Sequence, residues 1–282
     1  MSLGERREEG DAVDRRAVPQ ERRVTVAVDA HVHLHPVFDR RRFLDAAIAN
    51  AAESGLPLGP VWLLLTEIAG VHAFRELADQ PPQGWRGELR PDGRTLELRR
   101  ADGATVLVTA GRQVQVAGGL ELLALGTDDD IPDGIAMSEA IERALAADAL
   151  PVVPWGFGKW WGRRGRLLEA LLDSPQGASV FLGDNGGRAA FIATPGQFER
   201  VERNGRRVLP GSDPLPFARQ VERVASYGLH LEIDPFQPAP FAALKARLLD
   251  PQAKVSIYGT RAGAISFLRD QVAMQLYKRR QA

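Results

Sequence analysis

The sequence predicts an α/β fold in which β-strands and α-helices alternate around a closed, TIM-like barrel. Short apolar runs such as residues 61–66 (VWLLLT) are typical of buried strands, and segments with helical periodicity follow most of them. From Val24 onward the chain offers seven or eight strands with intervening helices, which favours a (β/α)7-8 barrel over an open sheet. A length of 282 residues suits one large domain of this kind.

The first part of the barrel follows from four segments. Residues 24–28 are apolar and predict a strand that ends at Asp29. Apolar residues recur on one helical face of residues 41–54, which predicts the first helix. Residues 61–66 then predict a second strand and residues 73–78 a short helix.

The pattern changes between residues 84 and 117, where polar and apolar residues alternate. Asp92-Gly93 and Asp102-Gly103 are typical of hairpin turns. We therefore expect an antiparallel β-hairpin insertion of three or four strands, with one face in solvent.

The alternation of strands and helices resumes after residue 119. Apolar runs predict strands at residues 120–125, 151–155, 178–182, 208–210, 229–233 and 255–258. Helical periodicity predicts helices at residues 137–147, 165–172, 197–203, 217–227, 240–249 and 264–279. Residues 1–22, rich in Arg and Glu, predict a flexible tail, so that a single domain spans residues 23–282.

Composition excludes several classes of partner. Lys+Arg and Asp+Glu both number 36, so no net charge favours nucleic acid or an anionic membrane. The chain has no cysteine, so a metal must be held by His, Asp, Glu or a modified Lys. No apolar run approaches the roughly 20 residues that span a bilayer. We expect a cytoplasmic protein, and the sequence carries no signal for an oligomeric state.

Three of the five histidines, His31, His33 and His35, lie within five positions just after the first strand. Side chains alternate along a strand, so His31 and His33 point the same way and His35 can join them. Neutral imidazoles at the C-terminal end of a strand are typical ligands of a divalent metal. We interpret the run as a metal site; a polar loop that happens to carry histidines is the alternative.

Polar residues also follow other predicted strands, at the end where a β/α barrel gathers its functional groups. Glu67 follows the second strand, and Gly211-Ser212-Asp213 follows a late one. Gly211 allows a sharp turn, so we expect Asp213 to face the barrel mouth. A carboxylate there can ligate a metal and take a proton from bound water.

Two further segments combine charged residues with glycines. Residues 155–165 (WGFGKWWGRRG) hold three of the five tryptophans, and their rings and cations suit an aromatic or phosphorylated ligand. We predict that Lys159 anchors an anion; a lid whose tryptophans cover the barrel is the alternative. In residues 183–188, Asp184 is a candidate ligand or base and Arg188 a candidate clamp for a carboxylate or phosphate. A tight turn would use the same residues for structure alone.

The order of these motifs resembles the PHP (polymerase and histidinol phosphatase) family. The resemblance rests on the strand that leads into Asp29-Ala30-His31-Val32-His33, on Leu65-Thr66-Glu67-Ile68, and on Gly211-Ser212-Asp213. It covers most of the chain from about residue 26 to residue 224 outside the insertion. It implies a distorted seven-stranded β/α barrel, up to three divalent metals and hydrolysis of phosphoesters. It also implies that His31 and His33 bind one metal, that Glu67 stands where the family has Asp, and that Asp213 is the late aspartate.

The chain departs from that family's ligand pattern at four places. Ile68, Trp155 and Leu215 stand where the family has His, and Gly126-Thr127 stand where it has Glu. These losses make a trinuclear centre improbable. We expect one divalent ion, Zn, Mn or Fe, with a site that holds no metal as the alternative.

The resulting prediction is a PHP-like metal-dependent hydrolase, in first place a phosphoesterase acting on a small anionic substrate. In this interpretation Asp213 or Asp184 accepts a proton, and Lys159 with Arg188 stabilises negative charge. One alternative is a PHP-fold binding or accessory protein that has lost catalysis. Another is an amidohydrolase-type enzyme acting on C–N or C–C bonds, because residues 28–34 and 211–214 also resemble that superfamily.

Overall fold

The computed structural model describes residues 23–55 and 60–281, and the predicted tail at residues 1–22 lies outside them. The strands of the described part are β1 (Val24–Val32), β2 (Val61–Leu65), β3 (Trp85–Leu89), β4 (Thr95–Arg100), β5 (Thr105–Thr109), β6 (Gly111–Gln115), β7 (Glu121–Leu125), β8 (Leu150–Pro154), β9 (Phe181–Asn185), β10 (Val208–Gly211), β11 (Tyr227–Ile233) and β12 (Val255–Gly259). Its helices are α1 (Arg40–Glu53), α2 (Ala73–Asp79), α3 (Met137–Ala146), α4 (Gly162–Asp173), α5 (Gly196–Arg203), α6 (Pro240–Leu249) and α7 (Ala264–Gln281).

The strands form two mixed sheets, so the predicted closed TIM-like barrel is wrong. The first sheet has the order β12-β11-β1-β2-β5-β4-β3 and the second has the order β10-β9-β8-β7-β6. The prediction failed because an alternation of strands and helices does not determine which strands pair. Here β11 pairs with β1 in the antiparallel direction, and β7 pairs with β8 in the same way.

The two sheets meet where β10 lies against β1, and a side chain takes part in the contact. The Ser212 N–H donates to the Asp29 carboxylate over 2.9 Å, and the Asp213 N–H donates to the His31 carbonyl over 2.9 Å. Gly211 allows this approach, because a Cβ atom at this position would lie 2.4 Å from the Cβ of His31. We call this contact between β1 and β10 the seam, and it places His31 next to Asp213.

The segment that the sequence marks as an insertion contributes to both sheets. Strands β3, β4 and β5 form an antiparallel meander, and the turns between them contain Gly93 and Gly103 at φ angles of 66° and 93°. Strand β5 also pairs in parallel with the buried strand β2. The chain then crosses at Ala110 into β6, the edge of the second sheet. That residues 23–282 form one domain stays a prediction.

A central apolar core lies between the two sheets, and helices cover their outer faces. Val28, Trp62 and Phe181 meet in this core, and α6 adds Phe241 to it. Helices α1 and α2 pack on the outer face of the first sheet, and α3, α4 and α5 pack on that of the second. Each fully buried large apolar side chain contributes roughly 1.5–3 kcal/mol. None of the helices within residues 23–55 and 60–281 has the length and apolar character to cross a membrane.

Candidate metal site

Three side chains that are distant in sequence meet beside the seam between β1 and β10. The Nε2 atoms of His31 and His33 lie 3.2 Å apart, and Oδ1 of Asp213 lies 3.5 Å from each of them. Both histidines are largely buried and Asp213 is half-buried. A triangle with these edges has a centre roughly 2.0 Å from every corner, which is the usual Zn–N and Zn–O distance in proteins.

Asp29 fixes the backbone on both sides of this cluster. Its fully buried carboxylate accepts the N–H groups of His31 (3.2 Å), Ser212 (2.9 Å) and Ala225 (2.9 Å), and also the Ser212 hydroxyl. Burial raises the pKa of Asp29 to about 7, although these donors favour the ionised form. The sequence analysis gave Asp29 no role in the site. The signal was present, because a carboxylate at the end of a buried strand needs buried donors.

Asp213 is held in one orientation by its neighbours. Its φ angle of 45° lies in the left-handed region, which costs a non-glycine residue energy. The Asn185 side-chain amide donates to Oδ2 of Asp213, so that Oδ1 faces the two imidazoles. The sequence analysis gave Asn185 no specific role, although its position directly after Asp184 at the end of β9 marks it as one of the polar residues that follow a strand.

Protonation states suit metal binding. Burial, followed by the charge of His31, lowers the pKa of His33 to about 3. His33 is therefore neutral near pH 7, and its contact with Asp213 is not an ion pair. Burial alone would raise the pKa of Asp213, but His31, His33, Lys159 and the Asn185 amide together hold it below its usual value. A neutral imidazole and a carboxylate are the ligands that Zn, Mn and Fe accept.

His35 supports the cluster from one side. Its ring stacks on that of His33 with 5.2 Å between centroids, and its Nε2 lies 2.9 Å from the Pro214 carbonyl. The Nε2–H group therefore donates to that carbonyl. Among the described residues the group of possible ligands is His31, His33 and Asp213, and the predicted role of His35 as a further ligand stays a prediction.

Glu67 lies on the same edge of the fold, but its carboxylate binds other groups. It accepts the Phe74 N–H at the start of α2 over 2.6 Å and a guanidinium N–H of Arg112 over 3.1 Å. Burial raises the pKa of Glu67 to about 7, against the effect of Phe74 and Arg112. The structure does not bring this carboxylate to the imidazoles, and we leave Glu67 out of the ligand set.

Asp184 and Arg188 are each other's main partners. The guanidinium binds both carboxylate oxygens, over 2.7 and 2.8 Å, and the Tyr227 hydroxyl donates to the same carboxylate over 2.8 Å. Both side chains are almost fully buried. Their charges neutralise each other at the end of β9, so the predicted roles of base and anion clamp stay predictions without geometric support.

Lys159 is the predicted residue that combines access with proximity to the cluster. Its ammonium group binds the Glu121 carboxylate at the start of β7, and about a quarter of the side chain is exposed. Its charge also acts on Asp213. An ammonium group has three N–H donors, so the contact with Glu121 leaves donors for an anion.

Comparisons with known proteins inform the fold alone. A scan against models of protein families and a search of curated proteins find no match. Among solved structures, the chain is similar to PsfC from Pseudomonas syringae PB-5123, with 18% identity, a TM-score of 0.51 and coverage of 92% of this chain and 99% of that one. A two-domain protein from Bacteroides vulgatus that contains a predicted PHP-like metal-dependent phosphoesterase aligns with 16% identity and a TM-score of 0.44, over 95% of this chain and 73% of that one. The likeness to PsfC indicates a similar overall fold, and neither likeness assigns an activity.

Proposed function

We propose that the chain is a metal-dependent hydrolase that cleaves a phosphoester of a small anionic substrate. The observation that supports this most strongly is the convergence of His31, His33 and Asp213 on one point. When bound there, a divalent cation supplies Lewis-acid chemistry. Three ligands leave coordination positions open, as catalytic sites do and closed structural sites do not.

The protein's own groups prepare this point before any substrate arrives. The His33 ring is held between its neighbours, because it packs edge-to-face against His31 and stacks on His35. The Asn185 side-chain amide donates to Oδ2 of Asp213 and so orients its carboxylate. Preorganised ligands need no rearrangement when the reaction begins.

Asp213 and Lys159 would handle the proton and the charge. A water molecule would attack phosphorus and lose its proton to the Asp213 carboxylate, and the P–O ester bond would break as protonated Asp213 passes that same proton to the leaving oxygen. Lys159 would bind the phosphoryl oxygens through the N–H groups that Glu121 leaves free. Asp184 and Arg188 have no part in this scheme, because they are bound to each other.

Metal stoichiometry is the first test. We expect the purified full chain to bind one equivalent of Zn, Mn or Fe(II), and His31→Ala and Asp213→Asn to lower the affinity at least tenfold. His72→Ala is the matched control, since His72 contacts Arg112 and lies outside the ligand group. Wild-type protein that binds no metal, with unchanged stability in chelator, would contradict the proposal.

Substrate panels separate the proposal from its alternatives. We expect turnover of phosphoesters by the metal-loaded chain and none of amides or lactones. Turnover of an amide or lactone would favour the amidohydrolase interpretation. A binding or accessory role has its own support, because Trp155, where the resembled family has a ligand, is buried beside the Arg188 guanidinium. Metal and phosphate binding without turnover of any ester would favour that role.

A further inference from the structure

Exposed aromatic side chains lie on the loops that follow β8 and β9. Phe157, Trp161 and Phe191 are 46%, 55% and 65% exposed. Phe157 packs edge-to-face against Trp161 (5.2 Å between centroids) and against the buried Phe267 of α7 (5.1 Å), and Phe191 packs against Phe267 at 6.0 Å. We call these four residues the aromatic rim. Solvent-exposed rings that contact one another in this way are typical of a binding surface.

The rim stands beside the candidate metal site. Strands β8, β9 and β10 are parallel neighbours, so their C-terminal ends lie along one edge. Asn185, at the end of β9, contacts Asp213 and begins the loop that carries Phe191. Lys159, two residues after Phe157, adds its positive charge at Asp213. The rim and the candidate metal site therefore lie along the same edge of the second sheet.

The neutral net charge of the chain conceals a local excess of positive charge here. The segments that carry the rim, residues 156–168, 186–198 and 257–269, contain seven Lys or Arg residues and no Asp or Glu, and three of the seven, Lys159, Arg188 and Arg269, bind carboxylates from outside these segments. The whole chain has 36 of each class. A surface of this composition attracts anions.

Several of these cations have no counter-ion within residues 23–55 and 60–281. In this part of the chain, Arg164 and Arg261 bind the carbonyl groups of Gly158 and Ile192 rather than carboxylates. Unneutralised guanidinium groups beside aromatic rings suit a ligand that is both anionic and flat.

We propose that the aromatic rim binds a flat ring in the organic part of the substrate, so that the substrate class is a phosphoester with an aromatic group. This inference rests on the proposed hydrolase function and adds the substrate class. The phosphoryl group lies at the metal site beside Lys159, and the ring packs on Phe157 and Phe191. Aromatic rings in offset or edge-to-face contact, as in the rim, attract each other more strongly than their buried apolar area alone would give.

A second copy of the chain is a poorer occupant of this surface. A twofold interface pairs each patch with itself. It would place the unneutralised arginines of one copy, Arg164 and Arg261 among them, against those of the other. Like charges held together at an interface disfavour the association. A negatively charged ligand has the complementary charge.

Unreactive phosphonates test the proposal in the full-length, metal-loaded chain by calorimetric titration. The probes are ethylphosphonate, 2-cyclohexylethylphosphonate and 2-phenylethylphosphonate, which share the anionic group. We expect 2-phenylethylphosphonate to bind about tenfold more tightly than ethylphosphonate, with the cyclohexyl compound between them. In the double variant Phe157→Ala/Phe191→Ala we expect 2-phenylethylphosphonate to bind no more tightly than ethylphosphonate, whose own affinity is unchanged. Phe236→Ala removes a similarly exposed phenylalanine after β11, beside the start of β1 at the opposite end, and leaves all three affinities unchanged.

Each outcome decides a separate question. Equal binding of the ethyl and phenylethyl compounds to the wild-type chain overturns the inference and leaves the hydrolase proposal intact. Equal binding of the cyclohexyl and phenylethyl compounds overturns the preference for a flat ring. A chain that elutes as a dimer, and as a monomer in the double variant, shows that the rim is a self-interface and overturns the inference as well. Ring-dependent binding that survives His31→Ala supports the rim and counts against the metal site.

Discussion

Gly211→Ala provides a direct test of the seam that builds the site. A Cβ atom at this position would lie 2.4 Å from both the backbone nitrogen and the Cβ of His31, and 2.8 Å from its Cα. Because ordinary contacts begin near 3.4 Å, β10 and β1 must separate by about 1 Å. Overpacking of this kind costs roughly 1–3 kcal/mol. The hydrogen bonds from Ser212 and Asp213 to β1 weaken as well, so we expect a total loss of roughly 2–4 kcal/mol.

The same separation moves Asp213 away from the imidazoles, so we expect metal affinity to fall at least tenfold. Urea unfolding and metal titration measure the two effects in parallel. Gly196→Ala is the control, since an added Cβ there meets nothing within 4 Å and the residue begins α5. It should be neutral or slightly stabilising. A Gly211→Ala variant with the stability and metal affinity of the wild type would refute the seam as the element that positions the site.

Three further predictions concern buried charges and use urea unfolding. Asp29→Ala leaves three backbone N–H groups without an acceptor and should lower the free energy of unfolding by roughly 3–5 kcal/mol. The control Asp79→Ala, at an exposed position, should stay within about 0.5 kcal/mol of the wild type. Equal losses of stability in the two variants would contradict this prediction. Arg188→Ala leaves Asp184 buried without its counter-ion and should cost roughly 3–5 kcal/mol, and a loss below about 1 kcal/mol would show that the pair is not structural. Burial raises the pKa of Glu67 to about 7, so the folded chain keeps this proton to higher pH than the unfolded chain, and the free energy of unfolding falls as pH rises from about 4.5 to 7. Over that range the Glu67→Gln variant should lose roughly 1–3 kcal/mol less of its free energy of unfolding than the wild type. Equal pH dependence of stability in the variant and the wild type would contradict the burial effect.

The sequence was a good guide to the elements and a poor guide to their pairing. The fully buried run of β2 and the hairpin glycines at positions 93 and 103 follow from local patterns. Strand pairing depends instead on contacts between distant segments. The antiparallel partnership of β11 with β1, for example, has no signature in either segment alone. For this reason the alternation of strands and helices suggested one closed barrel where the chain forms two sheets.

In the candidate site, too, local patterns were informative and contacts between distant segments were not foreseen. His31 and His33 were found from their spacing, and Asp213 from its position after a glycine at the end of a strand. The role of Glu67 as a ligand stays a prediction, and its contact with Arg112 was not foreseen, because Arg112 lies in a segment that the sequence marked as an insertion. The pair Asp184 with Arg188 is local, and the sequence analysis offered a tight turn, not an ion pair between the two, as the structural alternative.

The crossing at Ala110 limits how this chain can be shortened. One residue joins β5, which pairs with the central strand β2, to β6, which borders the second sheet. Excising residues 84–117 would therefore remove β5 and β6 together and expose the edge of β2 in one sheet and of β7 in the other. Trimming the loop at Asp92-Gly93 would remove the Asp92 carboxylate, which accepts the N–H of Phe241 at the start of α6 over 3.3 Å. The apparent insertion is therefore an integral part of both sheets, because its strands β4, β5 and β6 all contribute buried side chains to the apolar core.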